Sequence, residues 1–337
     1  MKKSLMIVGD FYDENDENTG KPFSGSAGSV LHGIMRQVGI ARSDCYFTNV
    51  FNLRPRGGRI DSLYADKADA IPNYRPITKG KYISKDYLPE IERLFAEIER
   101  VQPNLILAAG NTALWALCKK SGIKKYRGSP LHTHEGQIKV LPTWHPSSII
   151  RQWKLRAVVL ADMSKARNEM QFPELNRPSH LIYFEPTLQD IEDFYQQFLL
   201  PSPFLSCDIE TKGETITEVG YSTADGKHCI VIPFWDREKP DGNYWETHEE
   251  ERQAWDIVRS INETKPLIGQ NFSYDMQYFW RTMGIPSPKF VGDTMLLHHS
   301  LQPELEKGLG FLGSIYTNEP SWKFMREDNS TLKRGDE

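Results

Sequence analysis

Apolar and polar positions alternate along the chain in short buried runs and longer amphipathic periods. An apolar run from Met6 ends in Gly9 and Asp10, and a polar segment, expected to be a flexible loop, follows it. Pro22 and Phe23 then lead through a Ser/Gly/Ala stretch into a helix with apolar periodicity over 30–38. Residues 45–50 read as a buried strand ending at Asn49. The spacing of Leu88, Ile91, Leu94, Phe95 and Ile98 predicts a helix over 88–101. Residues 103–110 form a fully apolar run of the kind buried in a parallel sheet, and Asn111 is placed to cap a helix over 112–120. A strand over 138–144 ends before His145, and a helix over 157–170 closes the half. This alternation predicts an α/β layer structure with a mainly parallel sheet. Beyond a Pro-containing polar link, strands are expected at 181–185, 204–209, 216–222 and 228–233, with helices at 188–199 and 246–261.

The length of 337 residues points to two domains, with boundaries at 1–172, a linker over 173–180, and 181–337. No apolar run approaches the ~18 residues of a membrane span. The basic start runs into a short strand without the features of a signal peptide, so a cytoplasmic protein is expected. The four cysteines Cys45, Cys118, Cys207 and Cys229 show no CxxC spacing, and reduced, mostly buried thiols are expected. The net charge of −4 conceals an asymmetry: residues 1–172 hold 26 Lys and Arg against 17 Asp and Glu, whereas residues 173–337 hold 15 against 28. A basic half beside an acidic half suggests a phosphate-binding module joined to something else. Within the basic half, residues 52–85 interleave Arg and Lys with Tyr, which suits a nucleic-acid backbone as well as a solvated loop.

In an open α/β sheet, ligands bind beyond the carboxyl ends of the strands. Asp10, Asp13, Asp16 and Phe23 follow one such end, Asn49 occupies another, and His145, before Pro146, Ser147 and Ser148, a third. The plain alternatives are a solvated acidic loop and a structural histidine. In the second half Asp208 and Glu210, two apart on an extended chain, face the same side. Their hard oxygens suit Mg²⁺ or Mn²⁺, although acid pairs also arise by chance in so acidic a segment. No GxxxxGK[ST] loop occurs, which excludes the commonest phosphate cradle.

The ordered segments GDFYDENDENTGKPFSGSAG, YFTNVFNLRP, PNLILAAGNTAL and LPTWHPSSIIR resemble family 4 uracil-DNA glycosylases over residues 4 to about 170. The resemblance implies a three-layer α/β/α sandwich that acts on DNA. It implies catalytic or pocket roles for the acids Asp10 and Asp16, and stacking of Phe23 on a flipped uracil. It also implies base reading by Asn49 and His145 facing the base's O2. Ser147 and Arg151 would bind phosphate, and the Ile149–Ile150 step would wedge into the duplex. The roles are chemically coherent, because glycosidic cleavage needs the base out of the stack and leaves negative charge on the base and positive charge on the sugar. The chain departs from the family in three ways. Asn52-Leu53-Arg54-Pro55 stands where the family reads KCRP, and there is no amino-terminal CxxC, so no iron–sulfur cluster is expected. Asp10 replaces a Glu, and Phe11-Tyr12-Asp13 replaces a small residue and a Pro-Gly turn. Bulk at Phe11 threatens the pocket, and weak base release is expected.

SCDIETKG, LIGQNFSYD, VGDTMLLHHSLQ and LEKGLGFLGSIY together resemble the DEDD-type 3′-5′ exonuclease domain of family A DNA polymerases, an RNase H-like mixed-sheet fold, over 181–337. The resemblance implies that Asp208, Glu210 and Asp275 hold Mg²⁺ or Mn²⁺, with Asn271 near the DNA and Asp293 structural. The family's third motif is missing, since Tyr316, Asp328 and Asp336 lack its spacing. The order of the two modules resembles the front of a phage-type family A polymerase, or one piece of a split one, with a downstream polymerase domain or separate subunit as partner and the host cytoplasm as location. The function expected is DNA processing, with uracil or modified-pyrimidine recognition or excision joined to proofreading. The alternative is a non-catalytic DNA-binding module that reads a flipped base and holds a primer 3′ end.

Overall fold

The computed structural model describes residues 3–136 and 138–320; Asp328 and Asp336 lie outside them. Contacts divide the chain into two compact units, one running to Arg177 and including the segment from Gly310, the other Pro178–Leu309. The sequence boundaries place residues 310–320 in the second domain, whereas here they pack within the first unit.

In the first unit, β1 (Leu5–Phe11) is followed by α1 (Glu14–Thr19), α2 (Ser26–Val38) and β2 (Cys45–Phe51). The small strands β3 (Tyr64–Ala65) and β4 (Tyr82–Ile83) precede α3 (Leu88–Val101), β5 (Leu105–Ala109), α4 (Asn111–Cys118) and α5 (Ile123–Tyr126). Then come β6 (Leu131–His132), β7 (Lys139–Thr143), α6 (Pro146–Arg151) and α7 (Leu155–Glu169). The sheet runs β2-β1-β5-β7-β6, parallel throughout except for β6. Because side chains alternate along a strand, β1 contributes to two cores. Leu5 and Ile7 pack in one cluster with Leu31, Ile34, Met35, Val159 and Met163 from α2 and α7. Met6 and Val8 pack in the other with Ile91, Leu94, Ile98, Leu114 and Trp115 from α3 and α4. Two helical layers thus sandwich the sheet, as the glycosylase-like fold requires.

Several local expectations differ. The polar segment after β1 is not simply loop: Asp13 accepts the Asp16 N–H at 2.9 Å and caps α1, and Gly20 at φ 64 ends it. Asn111 is the first residue of α4 rather than its cap. Its amide instead donates to Ile77 O and accepts from Gly122 N–H, fastening the 52–85 region to the helix. That region is anchored by the buried Leu63, Ile71, Ile77 and Ile83.

In the second unit, β8 (Leu181–Tyr183) and α8 (Leu188–Phe194) precede β9 (Leu205–Lys212), β10 (Thr215–Thr223) and β11 (His228–Pro233). They are followed by α9 (His248–Thr264), β12 (Leu267–Gly269), α10 (Ser273–Met283), β13 (Phe290–Asp293) and α11 (Thr294–Leu301). The strand order is β13-β12-β9-β10-β11-β8. An antiparallel meander, β9-β10-β11, is extended on the β9 side by parallel strands β12 and β13. This is the RNase H-like mixed sheet. Val219, Tyr221, Ile230 and Ile232 fill its core against Ala254, Val258 and Ile261 of α9. The last helix among the described residues, α12 (Leu309–Tyr316), belongs almost wholly to the first unit. Buried Arg127 donates to Ser314 Oγ at 2.8 Å, and Lys165 donates to the carbonyls of Gly128, Ser314 and Thr317.

Candidate active sites

The parallel register places Gly9 of β1 opposite Asn49 of β2, so the strand ends carrying Asp10 and Asn49 are neighbours. A Cβ built on Gly9 would lie 2.2 Å from Asn49 Oδ1 and 2.7 Å from Phe23 Cζ. The amide and the ring therefore converge over a position that only hydrogen can occupy. Phe23 is buried with φ 59, and its turn is held by Asp16, whose Oδ1 accepts the Ser24 N–H at 2.7 Å. Burial pushes the Asp16 carboxyl up, while N–H donors from Ser24 and Phe23 oppose the shift and Asp13 adds to it. Asp16, expected among the catalytic or pocket acids, is thus 5% exposed and engaged with the backbone that shapes the Phe23 turn.

His145 caps α6. Its Nδ1 accepts the Ser147 N–H at 3.2 Å and meets Ser147 Oγ at 2.8 Å. With Nδ1 accepting, a neutral ring carries its proton on Nε2. The His145 and Phe23 rings lie 6.1 Å apart between centroids and 23° from parallel. Ser147, expected to bind phosphate, also holds the imidazole through these contacts. Arg151 is exposed and reaches Ser148 Oγ at 3.3 Å. Of the expected wedge, Ile149 is fully buried and Ile150 is 51% exposed. Just past α6, Trp153 is 70% exposed with Arg156 5.4 Å from its ring.

Two buried polar atoms of this group have no hydrogen-bond partner, Asp10 Oδ1 and Asn49 Nδ2. An unpaired buried donor or acceptor costs about 1–3 kcal/mol, so both are groups that a ligand would satisfy. Asp10 lies against Gly110, where an added Cβ would come 2.7 Å from its Oδ1. Phe11 is half-buried against the core cluster containing Met6, Val8 and Phe51. Leu53, at the place of the KCRP cysteine, packs in the same cluster, and burial pushes the Cys45 and Cys118 thiols up to about 12. Cys207 and Cys229 belong to the other unit.

In the second unit β9 pairs with β12 only at Leu205 and Ser206. Past that point the Ile209 N–H is taken up by Asp275 Oδ1 at 2.9 Å, which fastens the start of α10 to the strand carrying Asp208 and Glu210. Burial, with the Asp208 charge adding to it, pushes the Asp275 carboxyl up to about 7. Asp208 and Glu210 line a cavity of about 400 Å³ with Glu218, Gly220, Gln270 and Thr294. Among the described residues no three His, Cys, Asp or Glu side chains are gathered closely enough to hold a metal ion, so Asp208, Glu210 and Asp275 do not form a ready-made cage. All three are the right chemistry for a hard cation; Asp208 and Glu210 line the cavity, and the buried Asp275 does not. Asn271 is exposed at φ 57. Asp293 accepts the N–H groups of Asn271, Phe272 and Met295 at 2.8–3.0 Å, the structural role expected of it.

The profile of the uracil DNA glycosylase superfamily matches residues 2–171. A type-4 uracil-DNA glycosylase of Thermotoga maritima is 35% identical over 168 residues, covering 49% of this chain and 76% of that protein. The chain belongs to the uracil DNA glycosylase superfamily, a family of hydrolases, through its first unit. Similarity extends further in a DNA polymerase of Bacillus phage SP01, 24% identical over 332 residues and 88% of this chain. This chain spans 32% of that polymerase. A crystal structure of the EXD2 exonuclease domain soaked in Mg and GMP aligns with 42% of this chain and 72% of its own, at 16% identity and a TM-score of 0.28.

Proposed function

We propose that the first unit binds DNA and receives a flipped uracil, or a related pyrimidine, between Phe23 and the Asn49 amide, with His145 and Asp10 facing the glycosidic bond. The observation that carries this reading is the pair of unsatisfied buried atoms, Asn49 Nδ2 and Asp10 Oδ1, beside an aromatic ring held in a left-handed turn. Asn49 Nδ2 donates to a carbonyl on the base edge. The Nε2–H of His145 donates to the oxygen on which negative charge gathers as the bond to the sugar breaks. The Asp10 carboxylate stabilises the positive charge on the sugar or orients the attacking water. Asp10 is one methylene shorter than the glutamate of the resembling motif, so binding is retained and release is slow. Ser147 sets the imidazole, and Arg151 lies outside it to meet phosphate.

The second unit is proposed as a 3′-5′ exonuclease domain in which Asp208, Glu210 and Asp275 hold Mg²⁺ or Mn²⁺ and Asn271 meets the DNA. The metal would supply an activated water and charge neutralisation at phosphate. The carboxylates orient it, and the cavity admits the terminal nucleotide. This reading is supported by the mixed-sheet topology and the similarity to a phage polymerase, which also makes a polymerase domain or subunit the natural partner and a host cytoplasm the location. No helix is long and apolar enough to cross a membrane among the described residues.

Single-turnover uracil release and equilibrium binding, measured together on uracil- and thymine-containing duplexes, test the first reading. Selective binding lost in Asn49→Ala, with release slowed further in His145→Ala, is expected. Equal affinity for both duplexes, unchanged by Asn49→Ala, would overturn it.

A further inference from the structure

β2 is an edge strand, paired with β1 on one side only. In a parallel pairing a residue's N–H and C=O point to the same side, and an open edge leaves both groups of a residue such as Asn49 without a strand partner. Side chains fill that place. The Asn49 N–H donates to Asn52 Oδ1 at 3.2 Å, and the Asn49 carbonyl accepts from Arg93 Nη2 at 2.8 Å. The same Nη2 reaches Val50 O at 3.0 Å, while Arg93 Nη1 reaches Thr48 Oγ1 at 3.2 Å and Glu97 Oε1 at 2.9 Å, and Nε reaches Glu90 Oε2 at 3.0 Å. Glu90 closes the ring by accepting the Asn52 N–H at 2.9 Å.

One guanidinium on α3 thus grips three consecutive residues at the end of β2, and the two carboxylates beside it hold its plane. The middle residue of the three carries the base-reading amide. On the other side, Gly9 and Phe23 hem in the Asn49 side chain, so the position of the amide depends on a backbone that a neighbouring strand supports on one side only. We propose that Arg93 is a positioning residue for base recognition: it substitutes for the missing strand partner and sets the Asn49 amide against the base. The inference rests on the reading of Asn49 given above. It extends that reading to a residue on the far side of the strand that touches no base. A planar fork with five N–H donors can serve these acceptors together, whereas an ammonium cannot.

The experiment is a double-mutant cycle on the full chain, with Arg93→Lys, Asn49→Ala and the pair, reading the ratio of affinities for uracil- and thymine-containing duplex by fluorescence anisotropy. Arg93→Lys keeps the charge. It should lower the uracil preference about tenfold while leaving thymine-duplex affinity within about twofold, and it should have no further effect on the ratio once Asn49 is Ala. Glu90→Gln, which keeps the acceptor but weakens the grip on Arg93, should shift the ratio in the same direction by less, so the inference stays testable if Arg93→Lys folds poorly. A preference lost in Asn49→Ala but retained in Arg93→Lys would overturn the inference alone. A preference unchanged in Asn49→Ala would overturn the base-reading role of Asn49, and this inference with it. Losses that add in the double mutant would assign Arg93 a direct DNA contact instead.

Discussion

Replacing Gly9 with Ala tests the pocket from inside the sheet without removing any polar group. The added methyl would stand 2.2 Å from Asn49 Oδ1 and 2.7 Å from Phe23 Cζ. Ordinary contacts between such atoms lie near ~3.5 Å, so each neighbour must retreat by roughly 1 Å. Gly9 does not have positive φ, so its backbone accepts Ala and the perturbation is steric. Overpacking of this kind costs about 1–3 kcal/mol, within the ~5–15 kcal/mol stability of a typical domain, and the variant should fold. Function should suffer more, because a 1 Å misplacement of positioned groups costs on the order of a hundredfold. The expected result is a uracil preference reduced by one to two orders of magnitude, with the melting transition still cooperative and nonspecific DNA affinity unchanged. Thermal unfolding by circular dichroism, run beside anisotropy on uracil and thymine duplexes, reads all three quantities. A folded Gly9→Ala protein with its full uracil preference would show that Asn49 and Phe23 do not form the reading site.

Four further outcomes are expected. Trp153→Ala should weaken single-stranded DNA binding about tenfold, in keeping with ~1–3 kcal/mol for a stacked base; unaltered affinity and no quenching of tryptophan fluorescence by DNA would refute contact at this ring. Asp208→Ala should abolish calorimetric Mn²⁺ binding by the second unit, and Mn²⁺ binding that persists would place the cation elsewhere. Gly128→Ala, at φ +74 with Ser314 O only 2.4 Å from the new Cβ, should destabilise the chain by about 2 kcal/mol or more, seen as a lower melting temperature and faster proteolysis near residue 310; wild-type values for both would contradict the docking of that segment. Burial foremost, opposed by Asp162 and assisted by Arg127, brings the Lys165 amine from 10.5 down to about 8. Between those values the unfolded chain binds more protons than the folded one, so this group makes stability rise with pH across that window. Lys165→Met should lose that rise, and equal slopes of stability against pH in the two proteins would refute it.

The layer structure was legible because its signals are local. Apolar runs such as 103–110, the spacing of Ile91, Leu94 and Ile98, and glycines at strand ends each report on a few neighbouring residues. The α1 turn was legible in principle too, since an Asp three residues before another acid is a capping pattern, but the polar composition of the segment masked it. The three strand ends bearing Asp10, Asn49 and His145 could be ranked as candidates from their positions alone. What each side chain then does could not. Asp16 and Ser147 stand as expected catalytic and phosphate-binding residues, and only the structure shows that they also meet the Ser24 N–H and the His145 ring.

Least legible was the return of the chain to the first unit. Arg127 and Asp162 are both buried, with Arg127 Nε 3.2 Å from Asp162 Oδ2 and Thr143 donating to the same carboxylate oxygen at 2.7 Å. Ser314, nearly two hundred residues downstream, accepts from the same guanidinium. In sequence these are a scattered cation, an acid on a helix and a serine after the second module, with no periodicity to link them. Removing one partner of a buried ion pair costs about 3–5 kcal/mol because the other charge is left without its counterion. An Arg127 that loses Ser314 is a milder case, retaining Asp162 but leaving Nη1 donors buried. Lys165 would lose more, since two of its three carbonyl partners are Ser314 O and Thr317 O. The glycosylase fold thus holds one buried cation, Arg127, and one half-buried cation, Lys165, whose hydrogen bonding is completed by the segment after the exonuclease-like module. Its stability is therefore coupled to a stretch of chain that the boundary at 172 leaves out.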